Sequence, residues 1–178
     1  MRADGHPKEA LMPTRSMHPR VFTGGAVLAA ILLSAATAYG QSGPFSNLAG
    51  AWNGSGTLAF SRGSNERIRC RAKYDVASAG SNLKLELRCA SDSYKFELQA
   101  DVFSRDGEVQ GNWNETTRRV AGRIAGTVAG NQINVRVDSP QFAALLTLTT
   151  SNDRQSISIK GPPGAEMSEA AITLSRGS

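Results

Sequence analysis

The sequence predicts an all-β protein, an antiparallel meander of about eight to ten strands that closes into a small soluble barrel or a strongly curved sandwich with one disulfide. Three observations predict this class. From Ala51 onward, apolar and polar residues alternate almost to the C-terminus. Short clusters of Gly, Asn, Asp and Ser interrupt the alternation at intervals typical of turns between strands. After residue 40 no apolar stripe has helical spacing, and a chain of 178 residues suits one compact domain.

The first element is an export signal. Residues 21–39 are an uncharged, mostly apolar run that follows Arg20 and ends in small side chains, which is the order of a secretory signal peptide. We expect cleavage after Gly40, with cleavage after Ala38 as the alternative. A run of this length can also just span a bilayer, so an uncleaved membrane anchor is the other interpretation. The domain is expected in the periplasm or outside the cell, and cleavage leaves no transmembrane segment.

The remaining chain divides where the alternation begins. Residues 1–40 are assigned to the signal peptide. Met17 directly precedes the basic flank. Residues 1–16 are therefore either a long N-terminal region of the signal peptide or the result of a mis-called start, with translation beginning at Met17. A linker over 41–47 then leads to a single β-barrel domain over 48–178.

Strands are placed between consecutive turn clusters, because Gly, Asn, Asp and Ser tolerate turn angles or close local hydrogen bonds. Small residues on both faces of the strand that begins near Val120 predict a tightly curved strand. Apolar residues on both faces of the strand that begins near Phe142 are expected to be covered by residues 45–48, and a partner surface is the alternative. The predicted strands are 51–60, 65–76, 82–90, 94–103, 108–116, 120–128, 132–138, 142–150, 155–160 and 170–176.

One hairpin has its register fixed by the sequence. Cys70 and Cys89 are equidistant from the turn centre at Ala79 and Gly80, so they face each other when the hairpin folds there. Two cysteines in an exported chain are expected to form a disulfide. On one face, this register pairs apolar residues: Ala72 with Leu87, Tyr74 with Leu85 and Val76 with Leu83. On the other face it pairs opposite charges: Arg67 with Asp92, Lys73 with Glu86 and Asp75 with Lys84. The single like-charge pair is Arg71 with Arg88.

The positions of the charged residues indicate which face of the sheet lies inside the barrel. The face that carries Arg67, Arg69, Arg71 and Lys73 cannot point into lipid, so the apolar face is the interior. We interpret this ladder, with Arg88 beside it, as a solvated face, and attraction to anionic envelope surfaces is the alternative. It lacks interleaved aromatic residues, so no nucleic-acid partner is expected.

Residue types limit the chemistry. His6 and His18, the two histidines, both precede the expected cleavage site, and the disulfide uses both cysteines. Centres based on histidine or a free thiol are therefore excluded from the mature domain. We predict that the chain is not an enzyme, with no catalytic residues, no metal site and no cofactor.

Gly50-Ala51-Trp52 opens the first strand, and Arg176 lies on the last. This combination resembles the calycin barrels, the lipocalin and avidin group, whose first strand carries Gly-x-Trp and whose last strand brings a basic side chain across that Trp. The resemblance implies that Trp52 and Arg176 close the barrel base. The alternative is that Trp52 plugs one end of an unrelated small barrel. The second lipocalin motif, the C-terminal helix and the biotin-contacting pattern of avidins are not recognisable.

A ligand site is predicted around Trp113. Trp113 and Glu115 share the apolar face of their strand, and Tyr74 and Tyr94 lie on the same side of theirs. Glu115 either orients a ligand in the barrel mouth or lies exposed at the rim beyond the buried stretch. No second carboxylate is paired with it, which makes a glycosidase-like site the least favoured function.

We therefore predict an exported small β-barrel that binds a small hydrophobic or amphipathic ligand or an envelope component. The alternative is a protein-binding envelope module or an inhibitor of a secreted enzyme, acting through loops or a sheet face. A ligand-binding barrel needs an unfilled interior, whereas an inhibitor can be solid. The sequence does not predict the oligomeric state.

Overall fold

The computed structural model describes residues 42–141 and 143–177, so the signal peptide predicted over 1–40 lies outside the described residues. Two short 3-10 turns, Ser46–Leu48 and Ser78–Gly80, accompany ten strands. The strands are β1 (Gly50–Phe60), β2 (Asn65–Ala77), β3 (Asn82–Ala90), β4 (Lys95–Arg105), β5 (Glu108–Glu115), β6 (Val120–Ala129), β7 (Gln132–Asp138), β8 (Ala143–Ser151), β9 (Arg154–Lys160) and β10 (Met167–Arg176). The predicted antiparallel meander is confirmed, and the strands differ from the predicted ones only at their ends.

The ten strands close into a barrel. Each strand pairs antiparallel with its neighbours in the chain, and β1 also pairs with β10. Closure leaves no open sheet edge among these strands, which removes the risk of edge-to-edge association. No helix among the described residues is long and apolar enough to cross a membrane.

The β2–β3 hairpin has the predicted register. Cys70 lies opposite Cys89 and forms a disulfide with it. Tyr74 faces Leu85 on the inner side, and Arg71 faces Arg88 on the outer side. The disulfide therefore joins two strands whose cross-strand pairs already fix the same alignment.

On the outer face of this hairpin, Lys73 lies opposite Glu86 and Asp75 lies opposite Lys84 as predicted, but the ion pairs that form are different. Lys73 Nζ lies 3.0 Å from the carboxylate of Asp75 on its own strand. Lys84 Nζ lies 3.9 Å from the carboxylate of Asp101 on β4. The β2–β3 ladder ends before it reaches Arg67, so the predicted pairing of Arg67 with Asp92 is absent from it. Register alone therefore did not determine which charged neighbours meet.

Residues 45–48 close one end of the barrel, which we call the floor, instead of covering β8 as predicted. Phe45 and Leu48 are fully buried, although the predicted linker was to run to residue 47. Phe45 N–H donates to the carbonyl of Gly80, which ties this segment to the β2–β3 turn. On β8, Leu145 points outward and is 58% exposed.

Glycines on the inner face let the strands curve sharply. A Cβ built at Gly122 on β6 would lie 1.9 Å from the carbonyl oxygen of Asp138 and 2.8 Å from the indole nitrogen of Trp113. A Cβ at Gly126 would lie 2.1 Å from the carbonyl oxygen of Asn134. These close approaches account for the small residues that the sequence places on this strand.

Candidate ligand cavity

The barrel encloses a cavity of about 270 Å³. Inward-facing side chains from all ten strands line it, and nearly all of them are aliphatic or aromatic. Several of these wall residues point inward but are only half-buried, because their side chains border the cavity. They include Leu85, Leu87, Phe96, Leu98, Val102, Val120, Val137, Leu146 and Ile159.

The two ends of the barrel differ. At the floor, Phe45, Leu48 and Leu174 contribute to the cavity wall, and all three are fully buried. The opposite end, which we call the mouth, is formed by the turns that follow β1, β3, β5, β7 and β9. There the cavity wall includes half-buried Tyr94 and Arg118, whose side chain is 44% exposed. The cavity is therefore sealed at the floor and reaches the surface at the mouth.

Trp52 and Arg176 both lie at the floor, directly opposite each other in the β1–β10 ladder. The guanidinium of Arg176 stacks over the Trp52 ring at 4.3 Å from its centre. Trp52 Nε1 donates to the carbonyl of Leu48 at 2.7 Å, and Arg176 Nη2 donates to the carbonyl of Asn47 at 2.7 Å. These contacts bind the N-terminal segment across the floor.

Tyr74 lies in the cavity wall near the floor. Its hydroxyl donates to Oε1 of Gln155 on β9 at 3.1 Å, across the barrel interior. Burial raises the pKa of Tyr74 above its ordinary value, so the phenol stays neutral. Gln155 Nε2 and Thr150 Oγ1 are buried and have no hydrogen-bond partner among the described residues. Neither Gln155 nor Thr150 lines the cavity.

Trp113 forms part of the cavity wall between floor and mouth. It is 6% exposed and faces Ala100 on β4 and Gly122 on β6. The same cross-strand row continues through Leu85 to Tyr74. Two strands therefore separate Trp113 from Tyr74, and the indole has small neighbours on both adjacent strands.

Glu115 lies in the wall at the mouth end, but it is buried and not exposed at the rim. It is 2% exposed. Its Oε1 accepts hydrogen bonds from the backbone N–H groups of Glu97 at 3.0 Å and Thr117 at 3.1 Å, and from the Thr117 hydroxyl. Its Oε2 accepts from the Arg118 N–H at 2.7 Å. Burial acts to raise the pKa of Glu115, but these hydrogen bonds outweigh burial and hold the pKa below its ordinary value.

Arg118 and Tyr94 meet at the mouth. The Arg118 guanidinium lies over the Tyr94 ring at 4.3 Å from its centre. Arg118 Nη1 donates to the carbonyl of Lys95 at 3.0 Å and lies 3.8 Å from Glu115 Oε2. In the turn that carries Tyr94, Ser91 and Ser93 donate hydrogen bonds that lower the pKa of Glu66. The turns after β3 and β5 are thus fixed by charged groups.

The structure places all four predicted ligand residues in the cavity wall but at different depths: Tyr74 near the floor, Trp113 in the middle, Tyr94 and Glu115 at the mouth. Arg118 was not predicted, because a turn residue gives no sign of where its side chain points. Gln155 was not predicted either, although this residue is in phase with Ile157 and Ile159 on β9. Within residues 42–141 and 143–177, no cluster of His, Cys, Asp and Glu could hold a metal ion.

No family model and no curated protein sequence matches the chain. Several solved structures resemble its fold, among them one from M. tuberculosis and one from Guillardia theta. Rv2717c from M. tuberculosis aligns with a TM-score of 0.60 at 16% identity, covering 75% of this chain and 94% of that chain. The S-type phycobiliprotein lyase CPES from Guillardia theta aligns with a TM-score of 0.54 at 10% identity, covering 75% of this chain and 90% of that chain. At these identities the likeness shows the fold alone, a closed barrel of ten antiparallel strands.

The prediction that the chain is not an enzyme, which was drawn from the absence of histidine after residue 40 and of a free thiol, is wrong. The same barrel architecture occurs in a protein named as a lyase. Such a scaffold therefore does not exclude catalysis, because holding and orienting a molecule in a site shielded from water can itself accelerate a reaction.

Proposed function

We propose that this chain is an exported barrel that binds a small apolar or amphipathic molecule in its interior, beside Trp113. The observation that carries the proposal is the cavity of about 270 Å³, lined by apolar side chains from every strand. Ligand sites in proteins are typically concave, mostly apolar and provided with a few polar groups. Tyr94 and Arg118 provide such groups at the mouth, where a ligand would enter.

Export is part of the same proposal. Its support is the apolar run at residues 21–39 after a basic flank, together with the disulfide between Cys70 and Cys89. Disulfides persist mainly in oxidising compartments. N-terminal sequencing of the protein from its own host tests this part, with a start near Gln41 expected. An unprocessed chain in the cytoplasm would contradict it.

A fluorescence titration with dodecanol, an uncharged probe, tests ligand binding. Trp113 lines the cavity, so probe binding should change its emission, and Trp113→Phe should abolish most of that change while Trp52 remains as a reference. Ala100→Phe places a large side chain opposite Trp113 and should weaken binding at least tenfold. Ala171→Phe adds the same ring on the exposed outer face of β10 and is the matched control. Equal binding by both Phe variants would contradict an interior site.

A second function, attachment to an anionic membrane surface, is favoured by one feature of the outer face. On β2 and β3, six outward cations accompany two carboxylates, a net charge of +4, whereas residues 42–177 together carry +3. Arg67, Arg69, Arg71 and Arg88 form no ion pair among the described residues. Lipid headgroups would provide the missing anions.

Sedimentation with vesicles tests this second function. The protein should bind vesicles rich in phosphatidylglycerol at low salt, bind phosphatidylcholine vesicles poorly, and be released by high salt. Arg69→Ser with Arg71→Ser should reduce binding severalfold, whereas Arg136→Ser, on the exposed outer face of β7, should not. If Arg136→Ser lowered vesicle binding as much as the double variant, binding would depend on net charge and not on the outer face of β2 and β3.

A further inference from the structure

We infer that the cavity takes an amphiphile with an oxyanion headgroup, which Arg118 binds at the mouth while the apolar tail extends toward Trp113. This inference rests on the proposed ligand-binding function and specifies the class of ligand. It is based on which polar groups of the cavity wall already have hydrogen-bond partners and which have unused donors.

Apart from Arg118 and the Tyr94 hydroxyl, which both lie at the mouth, the polar groups of the wall are already engaged. The Tyr74 hydroxyl donates to Gln155 at the floor. The Glu115 carboxylate accepts from the backbone of Glu97, Thr117 and Arg118. A ligand that placed its polar end near either group would compete with a buried hydrogen bond, which is costly.

Arg118 is different. Only its Nη1 is used, donating to the carbonyl of Lys95 at 3.0 Å and to Thr117 Oγ1 at 3.3 Å. Its Nε and Nη2 have no hydrogen-bond partner among the described residues. Stacking on Tyr94 and the contact at 3.8 Å to Glu115 hold the guanidinium in place. The cavity therefore has, at its mouth, a fixed cation with unused donors.

A guanidinium with free donors selects an oxyanion, because carboxylate and phosphate accept two parallel hydrogen bonds from it. The rest of the wall is apolar and favours a hydrocarbon tail. Inward positions on β5 run from Glu115 to Val109, about 20 Å along the strand at the usual rise per residue. An extended tail of moderate length matches this depth better than a compact polar molecule.

Two carboxylates near the mouth, Glu66 and Glu115, could instead favour a cationic headgroup. Glu66 is bonded to the hydroxyls of Ser91 and Ser93 in its neighbouring loop, and Glu115 is bonded to its own turn. The Glu115 carboxylate already accepts four hydrogen bonds, and Glu66 does not line the cavity, whereas Arg118 lines it and retains free donors. The test includes a cationic probe because this difference decides the headgroup.

The experiment compares four probes with one tail, dodecanoate, dodecyl phosphate, dodecanol and dodecyltrimethylammonium, each below its micelle concentration. Affinities are measured by the emission of Trp113 and by calorimetry. We expect the oxyanion probe to bind about tenfold more tightly than dodecanol, the effect of one charge-assisted interaction at a partly exposed site. Dodecanoate and dodecyl phosphate together show whether carboxylate or phosphate is preferred.

Three variants locate the headgroup. Arg118→Gln should remove the preference for the oxyanion, lowering its affinity about tenfold while lowering dodecanol affinity much less, and Arg118→Lys should retain part of the preference. Arg119→Gln, an exposed cation in the same turn that does not line the cavity, is the matched control. Thermal melting verifies that each variant is folded.

The outcomes separate this inference from the function on which it rests. If dodecanol binds as tightly as both dodecanoate and dodecyl phosphate, or the cationic probe binds most tightly, the headgroup inference is overturned and the ligand-binding function remains. If no probe binds, both fail. If Arg119→Gln lowers oxyanion affinity as much as Arg118→Gln, the preference reflects general charge at the mouth and Arg118 is not its binding residue.

Discussion

The carboxylate of Glu115 fixes the turn between β5 and β6 by accepting hydrogen bonds from it. Three backbone N–H groups and one hydroxyl donate to it, so a charge that would be costly to bury unpaired is satisfied. The turn it fixes carries Arg118, whose guanidinium lies at the mouth. Glu115 therefore acts on the proposed site by positioning this turn, and its carboxylate is unavailable for a ligand.

Replacing Glu115 tests this role. Glu115→Gln keeps the shape but loses the charge, and we expect about 1–3 kcal/mol lower stability at neutral pH in urea unfolding. Glu86→Gln, an exposed residue on β3, should change stability little. Equal stability of the two variants would contradict the assigned role.

The same substitution has a pH signature. The pKa of Glu115 is depressed below its ordinary value of 4.5, so its contribution is present above that pH and is lost as pH falls through the lower, folded-state pKa. The stability difference between the native protein and Glu115→Gln should therefore shrink on acidification below about pH 4.5. Unfolding curves at several acidic pH values measure it. A difference that grew toward low pH would have the wrong sign for a depressed pKa.

Gly122 determines where the Trp113 indole lies. A methyl group at this position would approach the indole nitrogen and the carbonyl of Asp138 too closely for either to remain in place. We expect Gly122→Ala to cost about 1–3 kcal/mol and to alter the near-ultraviolet circular dichroism of the tryptophans. Ala121→Ser, on the exposed outer face of the same strand, should leave both unchanged.

At the scale of elements, the β2–β3 hairpin is the piece that residue patterns predict best. Alternation identified the strands because one face of each is buried, and the cysteine spacing gave their alignment. Outer ion pairs were harder, because exposed side chains choose among several neighbours at similar energy. Where residues 45–48 dock and where Arg118 points both depend on distant strands, and neither leaves a local signal in the sequence.

The disulfide should stabilise this hairpin through the unfolded state. Replacing both Cys70 and Cys89 by Ala removes the cross-link that closes the turn, which chain-entropy reasoning values at about 3 kcal/mol. The variant should unfold at lower urea concentration while the far-ultraviolet circular dichroism of the folded barrel is retained. Alkylation without reduction should label neither cysteine in the native protein, and labelling of both would contradict the bridge.

The N-terminal segment is the second element that the barrel depends on. Phe45 is fully buried at the floor, so Phe45→Ala should lower stability by about 3–5 kcal/mol in urea unfolding. Asn47→Ala, an exposed residue in the same segment, is the control and should change little. Similar stability of the two variants would show that the floor is not closed by this segment.

For the whole molecule, the curvature that closes ten strands also leaves the interior unfilled. Inner positions occupied by glycine on β1, β5 and β6 contribute no side chain to the space that they enclose, and the floor is sealed by Phe45, Leu48 and Trp52. A barrel with one closed end and one charged, aromatic mouth is suited to a molecule that enters tail first.

Methyl NMR of the protein during titration with dodecanol shows whether the probe binds inside the barrel. We expect shifts and probe contacts at the inward methyl groups of Leu87, Leu98 and Val120. Leu145, which is 58% exposed on the outer face, provides an internal control and should not move. Contacts confined to Leu145 and other outer residues, or no contacts at saturating probe, would contradict an interior ligand site.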